Sequence, residues 1–169
     1  MRAMTKKALE EAFAGESMAH MKYLAFSDIA AKEGKPNLAR MFKAVAYAEQ
    51  VHAHNHARNL GYINDSVKNL DAAIGGENFE ITEMYPVYNN TAKFEGEKGA
   101  ELSTHYAFEA EKIHEQMYKD AKKCAEKNED IKVGAIHICP VCGYTVEEGG
   151  VPDYCPVCRT AKAKFAVFS

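Results

Sequence analysis

Apolar residues recur at steps of three and four through most of the chain up to residue 127, the period of helices with one buried face. Over residues 5–32 the recurring positions are Leu9, Ala12, Phe13, Glu16, Ala19, Tyr23, Phe26 and Ala30. Gly34-Lys-Pro-Asn37 ends that segment, and Asn37 is placed to cap the next. The second stripe reads Leu38, Met41, Val45, Ala48, Glu49, His52 and His56, with Gly61 as its stop. A polar connection over 61–70 precedes a third helix, expected to begin near Asn69 or Asp71. Its stripe carries Glu77, Glu80, Met84, Tyr88 and Thr91, with Tyr85 beside it, and Pro86 should kink it. Gly75-Gly76 inside this helix calls for close approach of another backbone or for a break. Gly96 and Gly99 punctuate the next junction. A fourth helix is predicted from Ala100 to Lys127, with Thr104, Ala107, Phe108, Glu111, His114, Tyr118 and Ala121 facing inward. Four such helices with short connections predict a four-helix bundle.

The chemistry lies in the interruptions of these stripes. Glu111-Lys-Ile-His114 puts a carboxylate and an imidazole one turn apart on one helix face, able to reach one metal ion. One such pair among eighteen Glu and seven His is near chance. A second copy, Glu49-Gln-Val-His52, is not, and Glu16 and Glu77 each add a carboxylate to another apolar face. One Glu from each of two helices plus Glu-x-x-His from each of two others is the ligand set of a dinuclear carboxylate site. A core carboxylate with no partner is costly, so these positions call for a cation. Tyr23, seven residues after Glu16 on the same face, either packs in the core or donates a hydrogen bond to a ligand carboxylate. By contrast Glu83, Glu109, Lys112 and Glu115 read as solvated, Cys124 as a small buried hydrophobe, and His20 and His105 have no partner spacing.

After residue 128 glycine, proline, valine and aromatics replace the helical pattern. Cys139-Pro-Val-Cys142 and Cys155-Pro-Val-Cys158 can aim four thiolates at one point, a tetrahedral site for zinc or iron. The chain thus divides into a helical bundle over 1–133 and a small Cys₄ module over 134–169. With 169 residues, 47% hydrophobic, it can build one core and a small module. A formal net charge of −3 offers no footprint for nucleic acid, and no apolar run approaches a membrane span. The start, Met1-Arg-Ala-Met-Thr-Lys-Lys7, runs into Leu9-Glu10-Glu11 and not an apolar stretch, so no signal peptide is expected. Cys pairs that suit a metal better than a disulfide framework fit a cytoplasmic protein.

These residues resemble the rubrerythrins over nearly the whole length: a ferritin-like di-iron bundle followed by a rubredoxin-like module. The resemblance rests on Ala14-Gly-Glu16-Ser, Ala48-Glu49-Gln-Val-His52, Gly76-Glu77-Asn-Phe-Glu80 with Met84-Tyr85-Pro86, Glu109-Ala-Glu111-Lys-Ile-His114, and the two Cys pairs. It implies that Glu49 and Glu111 bridge two irons, that Glu77 and His114 hold one, and that Glu16 holds the other with either Glu80 or His52. The alternation follows the preference of ferric iron for a carboxylate and of ferrous iron for neutral imidazole. Glu80, His52, Tyr23 and Tyr85 would be the residues closest to the reaction. The implied activity is reduction of hydrogen peroxide to water, in defence against oxidative stress. Electrons would pass through one iron in the Cys₄ site (zinc is a substitute there) from a donor such as rubredoxin or an NAD(P)H-linked reductase. Arg159 departs from the pattern, standing where such modules often place a small residue.

Competing readings differ in class. Iron storage would use the same bundle but has no need of a Cys₄ electron carrier, and ferroxidase or oxygen-reducing activity of the ferritin-like class is the main alternative to peroxide reduction. A di-iron oxygenase needs a substrate pocket, to which no motif points, and a zinc-ribbon adaptor leaves the Glu-x-x-His pairs unexplained. The fourth helix is expected to run ~20 Å past His114, which starts the Cys module beyond the bundle's end. Folding back over twelve residues would use most of a ~40 Å reach. A homodimer in which each module serves the partner's bundle is the expected solution, with exchanged helices or a higher oligomer as variants.

Overall fold

Residues Met1–Ser169 are described by a computed structural model. The chain forms two compact units, 1–64 and 65–169, and no helix is long and apolar enough to cross a membrane.

The first unit is a hairpin of α1 (Ala3–Lys32) and α2 (Pro36–Leu60). Gly34, with φ +73°, supplies the left-handed residue the turn requires. Asn37 is not the cap: the helix begins one residue earlier with Pro36 at its first position, where the missing N–H costs nothing. The seam of the hairpin is built from small residues. Ala39, Ala46, Ala53 and Ala57 of α2 and Ala30 of α1 are buried. Ser27 Oγ donates to Ala39 O at 2.9 Å. His20 Nδ1 lies 2.8 Å from Ala46 O, and since a carbonyl only accepts, this nitrogen carries the proton. The stripe predicted for α2 is therefore not the hairpin seam. Met41 and Val45 from it remain exposed, as do Phe26 and Ile29 of α1. Two long helices approach most closely through alanine, and the larger side chains, with Glu49 and His52 among them, occupy a neighbouring face.

The second unit begins with α3 (Ser66–Phe79), several residues earlier than the stripe predicts, because Asp65 accepts the backbone N–H of Lys68 at 3.0 Å as an N-cap. Helix α3 runs through Gly75 and Gly76 unbroken, and a side chain at either would meet nothing within 4 Å. A π-helical turn, Glu80–Met84, follows, and α4 (Tyr85–Glu95) continues with Pro86 in its first turn. Pro86 has no N–H for the carbonyl four residues back, and the wider turn, in which Tyr85 N–H bonds Glu80 O, restores the ladder around that gap. So α3, the π turn and α4 form one interrupted helix, the third of four. Helix α5 (Lys98–Ala125) pairs with both parts, tied by Asn89 Nδ2 to Glu101 O at 2.8 Å, Asn78 to Glu115 at 3.0 Å and Lys122 to Asp71 at 2.6 Å.

The remainder is a three-stranded antiparallel sheet, ordered β2-β1-β3, from β1 (Ile136–Ile138), β2 (Thr145–Glu147) and β3 (Ala166–Phe168). Cys139, Cys142, Cys155 and Phe165 form its buried core, and Tyr106 of α5 packs against it. The connection does fold back. Ile131, Val133 and Ile136 line a groove along α5 with Ile113, Met117 and the partly buried Cys124. The module therefore lies beside its own chain's His114, not past the end of the bundle. The geometric ground for delivery between subunits falls away with that placement.

Candidate metal centres

Three clusters of metal-ligating side chains form, each with its donor atoms within 4.8 Å of one another: Glu16, Glu49 and His52; Glu77, Glu111 and His114; and the four cysteines. Every residue expected from the two Glu-x-x-His pairs falls in one of the first two. The clusters divide by unit, one triad on α1 and α2, the other on α3 and α5.

In the first triad His52 Nδ1 is 2.9 Å from Glu49 Oε2 and 3.7 Å from Glu16 Oε1. The His52 side chain is 54% exposed and Glu49 18%. Tyr23 packs with tilted rings against Phe26 and Phe42, at centroid distances of 6.1 and 6.3 Å, and makes no hydrogen bond to either carboxylate.

The second triad is more enclosed. His114 Nδ1 is 2.7 Å from Glu111 Oε2, and its other nitrogen, Nε2, is 2.8 Å from Thr145 Oγ1 in the Cys module. Burial, then a hydrogen bond with the Glu111 carboxyl and the charges of Glu111, Glu80 and Glu115, pushes the Glu77 carboxyl up to about 8. Burial and the charge of Glu111 also raise Glu80, partly opposed by His114. Burial first, and then these same carboxylates, raise the phenols of Tyr85 and Tyr118. Glu80 thus stands within electrostatic reach of the triad without joining it. Tyr85 lies within electrostatic reach of Glu80, Glu111 and Glu77. Tyr118 was read as an inward packing residue, and only its shared face with Glu111 and His114 marks it as a neighbour of the site.

Crowded carboxylates that hold each other's protons are a cation site in electrostatic terms: a metal's charge replaces the proton. The donor set, carboxylate oxygens with one imidazole nitrogen per triad, suits iron, and also manganese or zinc.

In the Cys cluster, Cys139 Sγ is 3.4 Å from Cys158 Sγ and Cys142 Sγ is 3.4 Å from Cys155 Sγ. A disulfide needs about 2.05 Å, whereas the edge of a tetrahedron with 2.3 Å metal–sulfur bonds is about 3.8 Å. The sulfurs are spaced for a metal. Burial raises Cys142 and Cys155. Burial also acts to raise Cys158, but hydrogen bonds from Thr160 and then from Cys139 and Cys142 more than offset it, and it falls to about 6. Arg159 adopts φ +65°, a conformation glycine would take without strain, and its guanidinium lies over the Tyr154 ring at 5.5 Å.

A helical chain with two Glu, Glu-x-x-His triads and a Cys₄ module is a metalloprotein of the carboxylate-bundle class. The family model described as rubrerythrin matches residues 7–122, and that for the rubrerythrin rubredoxin-like domain matches 137–166. The chain is 44% identical to rubrerythrin-2 of Clostridium acetobutylicum over 98% of its own length and 97% of that protein's. It is 33% identical to nigerythrin of Nitratidesulfovibrio vulgaris, covering 97% of this chain and 86% of the relative. Among solved structures, a mixed-valence state of nigerythrin matches with a TM-score of 0.56 and 31% identity, over 97% of this chain and 86% of that one. The chain belongs to the rubrerythrin family.

Proposed function

We propose that this protein reduces hydrogen peroxide to water at a dinuclear iron centre of the rubrerythrin type, with electrons supplied through iron in the Cys₄ site. The observation that carries this reading is the contact between His114 and Thr145, which sets an electron-carrier module against a carboxylate metal triad. Storage of iron has no use for that contact. The division of labour is a bundle over 1–133 and a carrier over 134–169.

Iron bound in the centre would supply both electrons for the O–O bond, so that peroxide, two electrons and two protons give two waters. The protein's task is to hold the metal pair and manage charge. Glu49 and Glu111, each the Glu of a Glu-x-x-His pair, would be the carboxylates shared by the two irons. Glu77 and His114 would hold one iron and Glu16 the other. Glu80 and His52 are the exchangeable partners: neither is locked, one lying just outside its triad and the other half-exposed. Tyr85 and Tyr118 stay protonated and can donate to carboxylates as charge shifts. Cys139, Cys142, Cys155 and Cys158 leave their metal no open position, so that site carries electrons and binds no substrate.

The working unit is a homodimer, with helix pairs exchanged between subunits or in a higher oligomer. In its favour, the apolar side chains of Met18, Phe26, Ile29, Met41 and Val45 on α1 and α2 are exposed. The electron donor is rubredoxin or an NAD(P)H-linked reductase. Stopped-flow mixing of the fully reduced protein with peroxide, and separately with dioxygen, tests the activity. Fast oxidation by peroxide and slow oxidation by dioxygen is the expected result. The reverse order assigns the protein to oxygen reduction or ferroxidase chemistry.

A further inference from the structure

Thr145 opens strand β2 and is buried, 4% exposed, although it is polar. Its hydroxyl has two partners: Gly143 O at 3.0 Å and His114 Nε2 at 2.8 Å. A carbonyl has no proton to give, so the Gly143 bond consumes the one hydrogen that threonine owns. The threonine oxygen is then left as acceptor, and the proton of the second bond must sit on His114 Nε2. That fixes the ring. With Nε2 protonated toward Thr145, Nδ1 is the nitrogen turned toward Glu111 Oε2, 2.7 Å away. That contact holds a proton of its own, on Nδ1 or on the carboxyl, and it is this proton that a metal would displace, because Nε2 is already committed to Thr145.

Gly143 follows Cys142 and is part of the knuckle that the cysteines build: Gly143 N–H donates to Cys139 O at 3.0 Å, and Cys139 N–H to Tyr144 O at 2.9 Å. The placement of Thr145 is therefore set by the folded Cys₄ knuckle. A side chain added at Gly143 would meet Ala110 of α5 at 3.7 Å, ordinary contact that shows how closely the knuckle sits on the helix.

We propose that Thr145 is a positioning residue for His114. It selects the imidazole tautomer and orientation that the metal triad needs, and it makes docking of the Cys module and metal loading at Glu77, Glu111 and His114 mutually dependent. This rests on the reading of those three residues as ligands. A partner that orients a ligating histidine is worth roughly tenfold to a hundredfold in metal affinity. By linkage, metal in the triad strengthens docking of the module by the same factor.

The test uses the full chain with zinc filling the Cys₄ site, and cobalt(II) as the probe of the carboxylate sites. Titration followed by the visible cobalt spectrum and by calorimetry compares wild type with Thr145→Val and Thr145→Ser. Valine keeps the shape and removes the hydroxyl. We expect Thr145→Val to weaken one class of cobalt by about tenfold or more, and Thr145→Ser to restore it. Nitrogen NMR of the imidazoles, on the same zinc-loaded protein before cobalt, should show His114 protonated at Nε2 in wild type and in the serine variant. In the valine variant that tautomer should lose its dominance. Equal cobalt affinity in wild type and Thr145→Val overturns the proposal, and so does a serine variant as weak as valine, which points to packing alone. A wild type that takes up no cobalt overturns the ligand reading and the metal half of the proposal together. The nitrogen spectra then still decide the tautomer, so the two failures are told apart.

Discussion

The two triads have the same formula, a Glu and a Glu-x-x-His pair, but differ in how firmly they are held. His114 has both ring nitrogens engaged and a side chain 27% exposed. His52 has a protein partner on Nδ1 alone and is 54% exposed. The second triad also gathers Glu80, Tyr85 and Tyr118 around it, while the aromatic nearest in expectation to the first, Tyr23, packs against phenylalanines. Equal spacing in the chain does not give equal rigidity. The difference comes from a module thirty-one residues beyond His114 that reaches back to it. A histidine meant to stay on its metal is served by a locked ring, and one meant to come and go by a free one.

The hardest test removes a ligand from the rigid side. Glu111→Ala should lower peroxide turnover by at least about a hundredfold and release metal from the carboxylate centre, read by metal analysis and steady-state assay. Retained turnover would overturn the bridging role proposed for Glu111. Next in size is the carrier. Cys142→Ser should leave oxidation of the pre-reduced centre by peroxide intact in a single turnover while steady-state cycling collapses. If the single turnover collapses too, the module supports the triad by more than electron supply.

The histidines give the sharpest contrast. His114→Ala should cost metal, whereas His52→Ala should leave a folded, metal-loaded protein that cycles about tenfold more slowly. Equal metal loss in both variants would erase the distinction between locked and exchangeable ligand. Glu80→Ala belongs with His52→Ala on the same scale. The smallest effect is on stability. In the metal-free protein Glu77 holds a proton up to about pH 8 that the unfolded chain releases near 4.5. The folded state binds more protons across that window, so thermal stability should fall as pH rises from 5 to 8. Glu77→Gln should flatten the slope, and a slope unchanged in that variant would assign it to another group.

Much of this was legible in the chain. The Glu-x-x-His pairs and Cys-x-x-Cys pairs are short-range patterns, fixed by helix and turn geometry, and they survive folding unchanged. The π turn was not legible. It widens the helix between Glu80 and Met84 and shifts the phase of everything after it. Tyr88, on the predicted stripe, is 53% exposed, while Tyr85, predicted beside it, is partly buried within electrostatic reach of the carboxylates. A constant period cannot anticipate such a shift. The hairpin seam was hidden for a different reason. Alanine contributes little to a hydrophobic stripe, yet it lets two backbones approach. The Thr145 contact was hidden because it joins residues 114 and 145 through tertiary packing, and a threonine in a short strand carries no signal of its own.

The alanine seam constrains how this lineage can change over generations. Ala39, Ala46 and Ala53 recur at intervals of seven, and Ala46 is wholly enclosed. Enlarging such a residue costs about 1–3 kcal/mol, while glycine there loses about 1 kcal/mol of helix propensity. Neither direction is neutral, so those positions drift slowly. Solvated positions such as Lys43 and Tyr47, on the same helix, accept substitution freely. Descendants of this protein should therefore keep the spacing between their first two helices, and with it the registry of Glu16 against Glu49, long after most of their surface has been rewritten.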